Sequence, residues 1–485
     1  MDYKLILQRM GLLELVNIFT FLSGFILVPI LTKGLTIEEY GIFSQIGITT
    51  TLIIPIATLN LTSASQRFLA RENDKNLVNK GFSSIFAVIF ATSLIISILM
   101  FISSKSIAIY IFGGENAEYI VKLVSLLALL KGIDASLDIF FLTSLLIKKY
   151  SYFSMLGSIL QILFFSYSLY SGFRLYGVLI SLMVVSVLSS ILKFILITSQ
   201  IEITFPNYSL IKDYLFFSIP TIPGTLGYLA NNFGNRYIIG YFLGMASVGI
   251  FSVSYTLGSI ILMFYMPISL IILSITTHLY KENNMQEIRT LLNYLLKGYL
   301  VIAIPSIFGL MVISKPLIKV MSSTNFISGA AMVPIIAIAT TLYCSSLIIQ
   351  TVLLLFKKTK IAGFISFSTA VVNIILNIIL VPSIGIIGSA IAIMVTFSLH
   401  LFLTSYFSFK LLSFNIDLVF ITKTIISSII MAFVVWELDP ISLIQILISI
   451  GMAAGIYIGS MLISRGFTEY EYTMFKNFVM LGVKK

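Results

Sequence analysis

The sequence predicts an all-α integral membrane protein with about 14 transmembrane helices. Of its 485 residues, 58% are hydrophobic and only 10% are charged, a composition far from that of a soluble globular protein. Apolar runs of about 20 residues, the length that crosses a bilayer as a helix, recur from end to end. No polar stretch is long enough to build a separate soluble domain, so we expect one helical membrane domain.

The apolar runs define fourteen predicted spans. The first, up to Leu31, is too long for a cleaved signal peptide and lacks a small-residue cleavage site, so it is predicted to be retained. The spans are roughly 10–32, 42–63, 81–103, 117–147, 151–171, 177–198, 213–240, 249–276, 292–314, 331–356, 362–381, 388–408, 417–436 and 441–463.

The charge distribution predicts the orientation in the membrane. If Lys4 and Arg9 are cytoplasmic, the basic residues of the loops and termini divide about 19 to 5 in favour of that side, as the positive-inside rule requires. Both termini are then cytoplasmic, and the protein is expected in the cytoplasmic (inner) membrane. The net charge of +11 therefore indicates contact with anionic membrane lipids and not binding to nucleic acid.

An internal repeat divides the chain. YGIFS at 40–44 matches VGIFS at 248–252, LLIKK at 145–149 matches LLFKK at 354–358, and two further pairs share nearly the same offset. Six spans separate corresponding points, so the two copies have the same orientation in the membrane. We predict six-helix lobes at 1–200 and 201–410, followed by two extra transmembrane helices and a cytoplasmic tail at 411–485.

Span 7 places polar residues where hydrocarbon is expected. Asn231, Asn235 and Arg236 follow two prolines, Pro220 and Pro223. An intramembrane arginine is costly and usually faces a cavity, and its guanidinium can hold a phosphate through two parallel hydrogen bonds. The alternative is structural: Arg236 extends towards the membrane surface or pairs with an aspartate of span 4.

Span 4 carries three charges on one helix face. Lys131, Asp134 and Asp138 are spaced i, i+3 and i+7. Either they form a self-neutralising Lys–Asp pair that fixes the helix, or the remaining carboxylate is available for a coupling cation or proton. Glu14 in span 1 presents the same choice.

Further polar residues lie in the second lobe. Lys297 is about two turns from the cytoplasmic end of span 9, which favours extension of its side chain to the membrane surface. Asn373 and Asn377 share a helix face and could bind a sugar or join helices. The sequence contains no P-loop, no H-E-x-x-H motif and no metal-ligand pairing for its two histidines. No cofactor or metal is predicted, and secondary transport is favoured over an enzymatic or ATP-driven activity.

Four stretches together resemble a known family. They are GLTIEEYGIFSQIG, IATLNLTSASQRFLARE, NRYIIGYFLGMASVGIFSVSY and LLFKKTKIAGFISFSTAVVNIILNIILVPSIGIIGSAIA. In order and spacing they resemble the polysaccharide biosynthesis (O-antigen, Wzx-type) flippases, of the superfamily that also contains multidrug extruders and the lipid II flippase. The resemblance covers essentially the whole chain. It implies a pair of six-helix bundles, as in multidrug extruders, that moves a polyprenyl-(pyro)phosphate-linked oligosaccharide to the outer leaflet. It also implies coupling to an ion gradient, by H⁺ or Na⁺, and delivery of the product to a polymerase or ligase.

The family pattern and the residues combine into one hypothesis. Family members often have an acidic residue where this chain has Asn235, which leaves Arg236 less neutralised and suits a pyrophosphate. Arg236, helped by Lys131 or Lys297, would hold the pyrophosphate, with Asn231, Asn235, Asn373 and Asn377 near the sugars and Asp134, Asp138 or Glu14 carrying the ion. The alternatives are a multidrug cation antiporter of the same superfamily and a membrane-embedded glycan polymerase or glycosyltransferase.

Overall fold

The computed structural model describes residues 3–69, 74–202 and 204–466. Within these ranges the regular elements are all helices, as the fold class predicts. The predicted cytoplasmic tail beyond residue 466 lies outside the described residues.

Eighteen α-helices make up the described ranges, joined in places by short 3₁₀ turns. In the first half they are α1 (Tyr3–Gly34), α2 (Ile37–Ala57), α3 (Leu61–Phe68), α4 (Lys75–Ile102), α5 (Ser104–Ile111), α6 (Glu118–Thr143), α7 (Ile147–Tyr170), α8 (Arg174–Thr198), α9 (Tyr208–Ser218) and α10 (Ile222–Phe233). In the second half they are α11 (Asn235–Gly258), α12 (Leu262–Lys281), α13 (Met285–Met321), α14 (Met332–Leu355), α15 (Thr359–Ile384), α16 (Ile386–Phe409), α17 (Leu418–Leu438) and α18 (Leu443–Ile463).

Twelve of the described helical segments are long and apolar enough to cross a membrane. The other two predicted spans, 117–147 and 213–240, do not meet this criterion as single helices, and each has a physical reason. Helix α6 is long enough, but it contains Lys131, Asp134 and Asp138 as well as charges in its first turns. The predicted span 213–240 is broken into α9, a 3₁₀ turn at Ile219–Thr221, α10 and the start of α11. Proline at 220 and 223 removes backbone donors there, which interrupts a continuous helix.

A glycine separates span 7 from span 8. Helix α11 contains one residue with non-helical geometry, Gly244, at φ 79° and ψ 172°. Such a positive φ favours glycine because it has no Cβ. The chain therefore turns at Gly244, and the stretch Asn235–Lys281 contains the end of one predicted span and the whole of the next.

Local signals fix several helix starts. At α2 the Thr36 hydroxyl accepts a hydrogen bond from the Glu39 backbone N–H, and the Glu39 carboxylate accepts one from the Thr36 N–H, the reciprocal arrangement of a capping box. Ser442 and Gln445 form the same motif at α18. Asp74 caps α4 and Asp417 caps α17. These caps satisfy backbone donors that the first helical turn leaves without partners.

The chain divides into two compact units. The first comprises Met1–Val253 and Gly363–Ala392, and the second comprises Ser254–Ala362 and Ile393–Lys485. This division differs from the repeat boundary, and the lobes at 1–200 and 201–410 remain a prediction.

The first unit contains the predicted spans 1–7 and nearly all of span 11. Helix α6 packs on α4, α8 and α2, α7 packs on α1 and α8, and α2 packs on α10. In the second unit α13 packs on α12, α14, α17 and α18. The last two helices pack on α13 and on each other: the Tyr457 hydroxyl donates to the Val301 carbonyl at 2.9 Å, and the Ser460 and Ser427 hydroxyls are 3.0 Å apart.

Candidate functional site

The two copies of the repeated segment pack directly on each other within the first unit. A Cβ placed on Gly41 would overlap the carbonyl oxygen of Met245, and a Cβ on Gly249 would overlap the carbonyl oxygen of Ile37. The two glycines, Gly41 and Gly249, are 208 residues apart in the sequence, and so are the two residues that they meet, Ile37 and Met245. The hydrogen-bonded serines Ser44 and Ser252 have the same separation. The contact is therefore reciprocal, as an internal pseudo-two-fold axis requires. We call this α2–α11 contact the glycine seam.

Arg236 is joined to the glycine seam through a serine pair. The Ser44 and Ser252 hydroxyls are 2.6 Å apart, and the Arg236 Nε donates to the Ser252 Oγ at 3.2 Å. The guanidinium carbon lies 5.7 Å from the Phe233 ring centre and 5.4 Å from that of Phe251, within the range of a cation–π interaction. Only 5% of Arg236 is exposed. A positive charge is thus held inside the protein next to the α2–α11 contact.

Contacts between α2 and span 7 continue outside the glycine seam. The Thr49 and Tyr237 hydroxyls are 2.9 Å apart. At the other end of α2, the Asn60 side-chain amide donates to the Thr221 and Thr225 hydroxyls at 2.6 and 3.1 Å. These hydrogen bonds join α2 and the residues that follow it to α11, to α10 and to the 3₁₀ turn before α10.

The predicted asparagines of span 7 lie beside Arg236 in sequence and are buried. Asn235 is 1% exposed and Asn231 is 3% exposed. Among the described residues, no hydrogen-bond partner is found for the Nδ2 or the Oδ1 of Asn235, or for the Oδ1 of Asn231. A buried guanidinium and buried amides close to it in sequence supply the group types that bind a hydroxyl-rich anion.

We expect Gly41→Ala and Gly249→Ala to destabilise the protein by about 1–3 kcal/mol each, because the added methyl groups meet backbone carbonyls that cannot move aside. Thermal unfolding of the detergent-purified variants measures the effect. Gly47→Ala, also in α2, is the matched control because a Cβ there meets nothing within 4 Å. Equal melting temperatures for Gly41→Ala and Gly47→Ala would contradict the tight glycine seam.

The three charged residues of span 4 have a partner that the sequence analysis did not identify, Lys193 of α8. Its Nζ lies 2.8 Å from the Asp134 Oδ1 and 2.7 Å from the Asp138 Oδ1, and its side chain is 4% exposed. Ser189 donates to the same Asp134 oxygen at 2.9 Å, and Lys131 is near enough to interact electrostatically with both aspartates. Two lysines and two aspartates thus form a balanced group between α6 and α8.

The remaining predicted residues of the first unit lie on α1 and α15. Glu14 is buried, its Oε2 accepts a hydrogen bond from the Asn17 amide at 3.2 Å, and its Oε1 has no partner in the described part of the chain. Asn377 donates to the Asn373 backbone carbonyl at 2.8 Å and to the Asn373 side-chain oxygen at 3.1 Å. These two asparagines bond to each other, as their i, i+4 spacing allows.

Lys297 belongs to the second unit. Its Nζ lies 3.6 Å from the Asp417 Oδ2 and 4.4 Å from the centre of the Phe420 ring. The side chain therefore joins α13 to the first turn of α17 within the second unit.

Two buried polar residues were missed by sequence reasoning, Lys193 and Gln45. Lys193 lies near the predicted cytoplasmic end of its span, where a lysine ordinarily reaches the membrane surface, so its position alone did not indicate pairing. Gln45 directly follows the repeated motif YGIFS. A lone polar residue inside an apolar span next to a repeat is a signal that could have identified it.

Comparisons with known proteins agree with the fold. The family profile described as "Polysaccharide biosynthesis protein" matches residues 30–331. A curated relative from Haloferax volcanii, the probable low-salt glycan biosynthesis flippase Agl15, is 24% identical over 280 residues, which cover 57% of this chain and 59% of that relative.

Solved structures show the same architecture. The structure described as lipid II flippase MurJ in an inward closed conformation matches with a TM-score of 0.77 at 19% identity, covering 93% of this chain and 98% of that one. An inward-facing multidrug resistance MATE family transporter of the MOP superfamily matches with a TM-score of 0.69 at 15% identity, covering 81% and 94%. The chain is thus a multi-pass membrane protein with the fold shared by MurJ and MATE transporters. Because the family profile covers more than half of the chain, the protein belongs to the polysaccharide biosynthesis protein family.

Proposed function

We propose that this protein is a flippase that moves a polyprenyl-(pyro)phosphate-linked oligosaccharide, such as an O-antigen repeat unit, from the cytoplasmic to the outer leaflet of the inner membrane. Membership of the polysaccharide biosynthesis family supports this proposal. So do the glycan flippase named among its relatives and the lipid II flippase among its structural neighbours. Both termini would be cytoplasmic, and the product would pass to a polymerase or ligase.

The observation that carries the proposal is the buried Arg236 at the glycine seam. A guanidinium is a strong ligand for a pyrophosphate, since its fixed donors match two phosphate oxygens. Enclosure between Phe233 and Phe251 lowers the local polarity and strengthens that attraction. Asn231 and Asn235 supply the neutral donors and acceptors that sugar hydroxyls require.

The mechanism follows from which contacts join the two repeats. The headgroup enters a polar cavity while the lipid tail stays in the bilayer, and Arg236 holds the pyrophosphate. Lys131, Lys297, Asn373 and Asn377 stay as further candidates for contact with the headgroup. Release on the outer side requires the glycine seam to open, which breaks the Ser44–Ser252 hydrogen bond and frees the Arg236 Nε. Entry requires the Asn60 contacts at the other end of α2 to open.

Coupling to an H⁺ or Na⁺ gradient would involve the buried carboxylates. Glu14 has the more open coordination, because its Oε1 has no partner among the described residues. Asp134 and Asp138 share Lys193, so a cation or proton at this group would have to compete with the lysine. Glu14 is therefore the first residue to test for ion dependence.

A multidrug antiporter is the second candidate, because the MATE transporter match covers most of the chain. Amphipathic drug cations are repelled by a buried arginine and attracted by carboxylates. A drug-resistance assay of cells that express the protein, set beside a glycan-export assay, separates the two functions.

We expect Arg236→Ala to reduce transport about 10- to 100-fold at equal expression, because charged hydrogen bonds to the pyrophosphate are lost. Arg236→Lys should restore only part of the rate, since an ammonium lacks the paired donors. The measurement is the leaflet accessibility of a fluorescent polyprenyl-pyrophosphate-linked sugar in proteoliposomes.

Arg174→Ala is the control for this experiment. Arg174 forms an exposed ion pair with Glu39 at 3.0 Å, and such pairs contribute little to stability, so its transport rate should stay within about twofold of the wild type. Full transport by Arg236→Ala would refute the role of Arg236 in holding the substrate.

A further inference from the structure

Gln45 has a buried side-chain amide to which no function has yet been assigned. It is 0% exposed, and neither its Oε1 nor its Nε2 has a hydrogen-bond partner within the described ranges. Asn235 is in the same condition at 1% exposure. Buried primary amides in native proteins almost always have partners, because leaving one unsatisfied is costly.

Gln45 lies in the glycine seam, and Asn235 lies at the start of α11. Gly41, one helical turn before Gln45, meets Met245 of α11. Thr49, one turn after Gln45, meets Tyr237 of α11. Residues at i−4 and i+4 share a helix face with residue i, so Gln45 lies on the α2 face that packs on α11. Asn235 is the first residue of α11, directly before Arg236.

Burying these amides without hydrogen bonds costs free energy, which indicates that they have a hydrogen-bond partner in another conformation of the protein. A leucine or methionine at 45 would fill the glycine seam without any unsatisfied group, and stable cores favour that solution. Departures from good packing rules are concentrated at functional sites. When the glycine seam opens, Gln45 becomes accessible next to the Ser44–Ser252 pair that is bonded to the Arg236 guanidinium.

The chemistry of the amides identifies the class of ligand. Each primary amide presents two N–H donors and an acceptor oxygen, which match sugar hydroxyls because a hydroxyl both donates and accepts. A phosphate oxygen only accepts, and a hydrocarbon does neither. We propose that Gln45 and Asn235 form a sugar subsite that hydrogen-bonds the hydroxyl groups of the sugar next to the pyrophosphate. This subsite rests on the proposed flippase function.

The test compares two lipids in binding measurements by native mass spectrometry. The probes are polyprenyl pyrophosphate carrying one N-acetylhexosamine and the same lipid without sugar. For Gln45→Met we expect about tenfold weaker binding of the sugar-bearing lipid, the effect of one or two lost neutral hydrogen bonds. Binding of the sugar-free lipid should change by less than about twofold, and the melting temperature should not fall, because an unsatisfied amide is removed.

Gln161→Met is the matched control, the same change at a half-buried position of α7, a helix that packs on α1 and α8. It should bind both lipids as the wild type does. Equal weakening of both lipids by Gln45→Met, unchanged binding of both, or a melting temperature several degrees lower would each overturn the subsite. Arg236→Ala should weaken both lipids. If the wild type binds neither lipid, the proposed function itself fails, and the subsite fails with it.

Discussion

A disulfide between residues 44 and 252 should stop transport almost completely. In a Cys344→Ala background, Ser44→Cys/Ser252→Cys places two thiols where hydroxyls are now 2.6 Å apart, a separation that suits a disulfide with little backbone movement. Cys344 is the only cysteine of the chain, so no other pairing competes. Because the bond would hold the glycine seam closed, we expect at least a 100-fold lower rate under oxidising conditions and recovery after reduction. The leaflet-accessibility assay with and without reductant measures both rates.

The control for the cross-link is a second serine pair in the chain. The Ser427 and Ser460 hydroxyls are 3.0 Å apart between α17 and α18, the two helices without a counterpart in the repeat. Ser427→Cys/Ser460→Cys should form a disulfide and leave transport within about twofold, since a bond between these adjacent helices leaves the glycine seam free to open. A 44–252 disulfide that formed fully and left transport unchanged would show that the glycine seam does not open in the cycle.

Lys193→Met should be the most destabilising single change described here. It leaves Asp134 and Asp138, whose side chains are only partly exposed, without the buried ammonium that now contacts both at 2.8 and 2.7 Å. Removing one side of a buried ion pair typically costs about 3–5 kcal/mol, so we expect a large fall in the yield of folded protein and in its melting temperature. Size-exclusion chromatography and thermal unfolding in detergent measure the two effects.

Two variants show whether charge balance is the cause. Lys193→Met/Asp138→Asn leaves one lysine, Lys131, with one aspartate, Asp134, and should recover most of the lost stability. Lys122→Met removes a lysine from the same part of the chain, but its pair with Glu118 is partly exposed at 2.7 Å. Exposed ion pairs contribute little to stability, so this change should lower the melting temperature far less than Lys193→Met. If Lys193→Met were no more damaging than Lys122→Met, the buried group would not be a stabilising ion cluster.

Composition and repetition were sufficient to predict the all-helical membrane fold. Hydrocarbon imposes long apolar helices directly on the sequence, and the 208-residue offset of YGIFS and VGIFS indicated a repeat before any contact was known. Pro220 and Pro223 are evident in the sequence, but the break that they cause in the helix could not be predicted, because some membrane helices tolerate proline without a break.

The partners of the polar residues could not be predicted. Arg236 was identified by its cost in the membrane, whereas its bond to Ser252, 16 residues further along, depends on how the two parts of α11 on either side of Gly244 lie against each other. Similarly, the three charges on α6 indicated that an ion-pair partner was needed. The partners of Asp134 are Ser189 and Lys193 of α8, 55 and 59 residues further along the chain. Periodicity assigns a residue to a face of its own helix and does not identify the neighbouring helix that meets that face.

The ion group of α6 and α8 also bears on how the chain enters the bilayer during synthesis. Each charged residue at the centre of a membrane helix costs about 2.5–3.5 kcal/mol on insertion, and α6 carries Lys131, Asp134 and Asp138. The lysines of the next helix, Lys148 and Lys149, lie in the first turn of α7, whereas the ion pairs of Asp134 and Asp138 are with Lys193. The ammonium that contacts both aspartates is synthesised only with α8. Helix α6 should therefore wait at the insertion machinery until α8 has emerged, so that the helices of the first unit enter the lipid together and not one at a time.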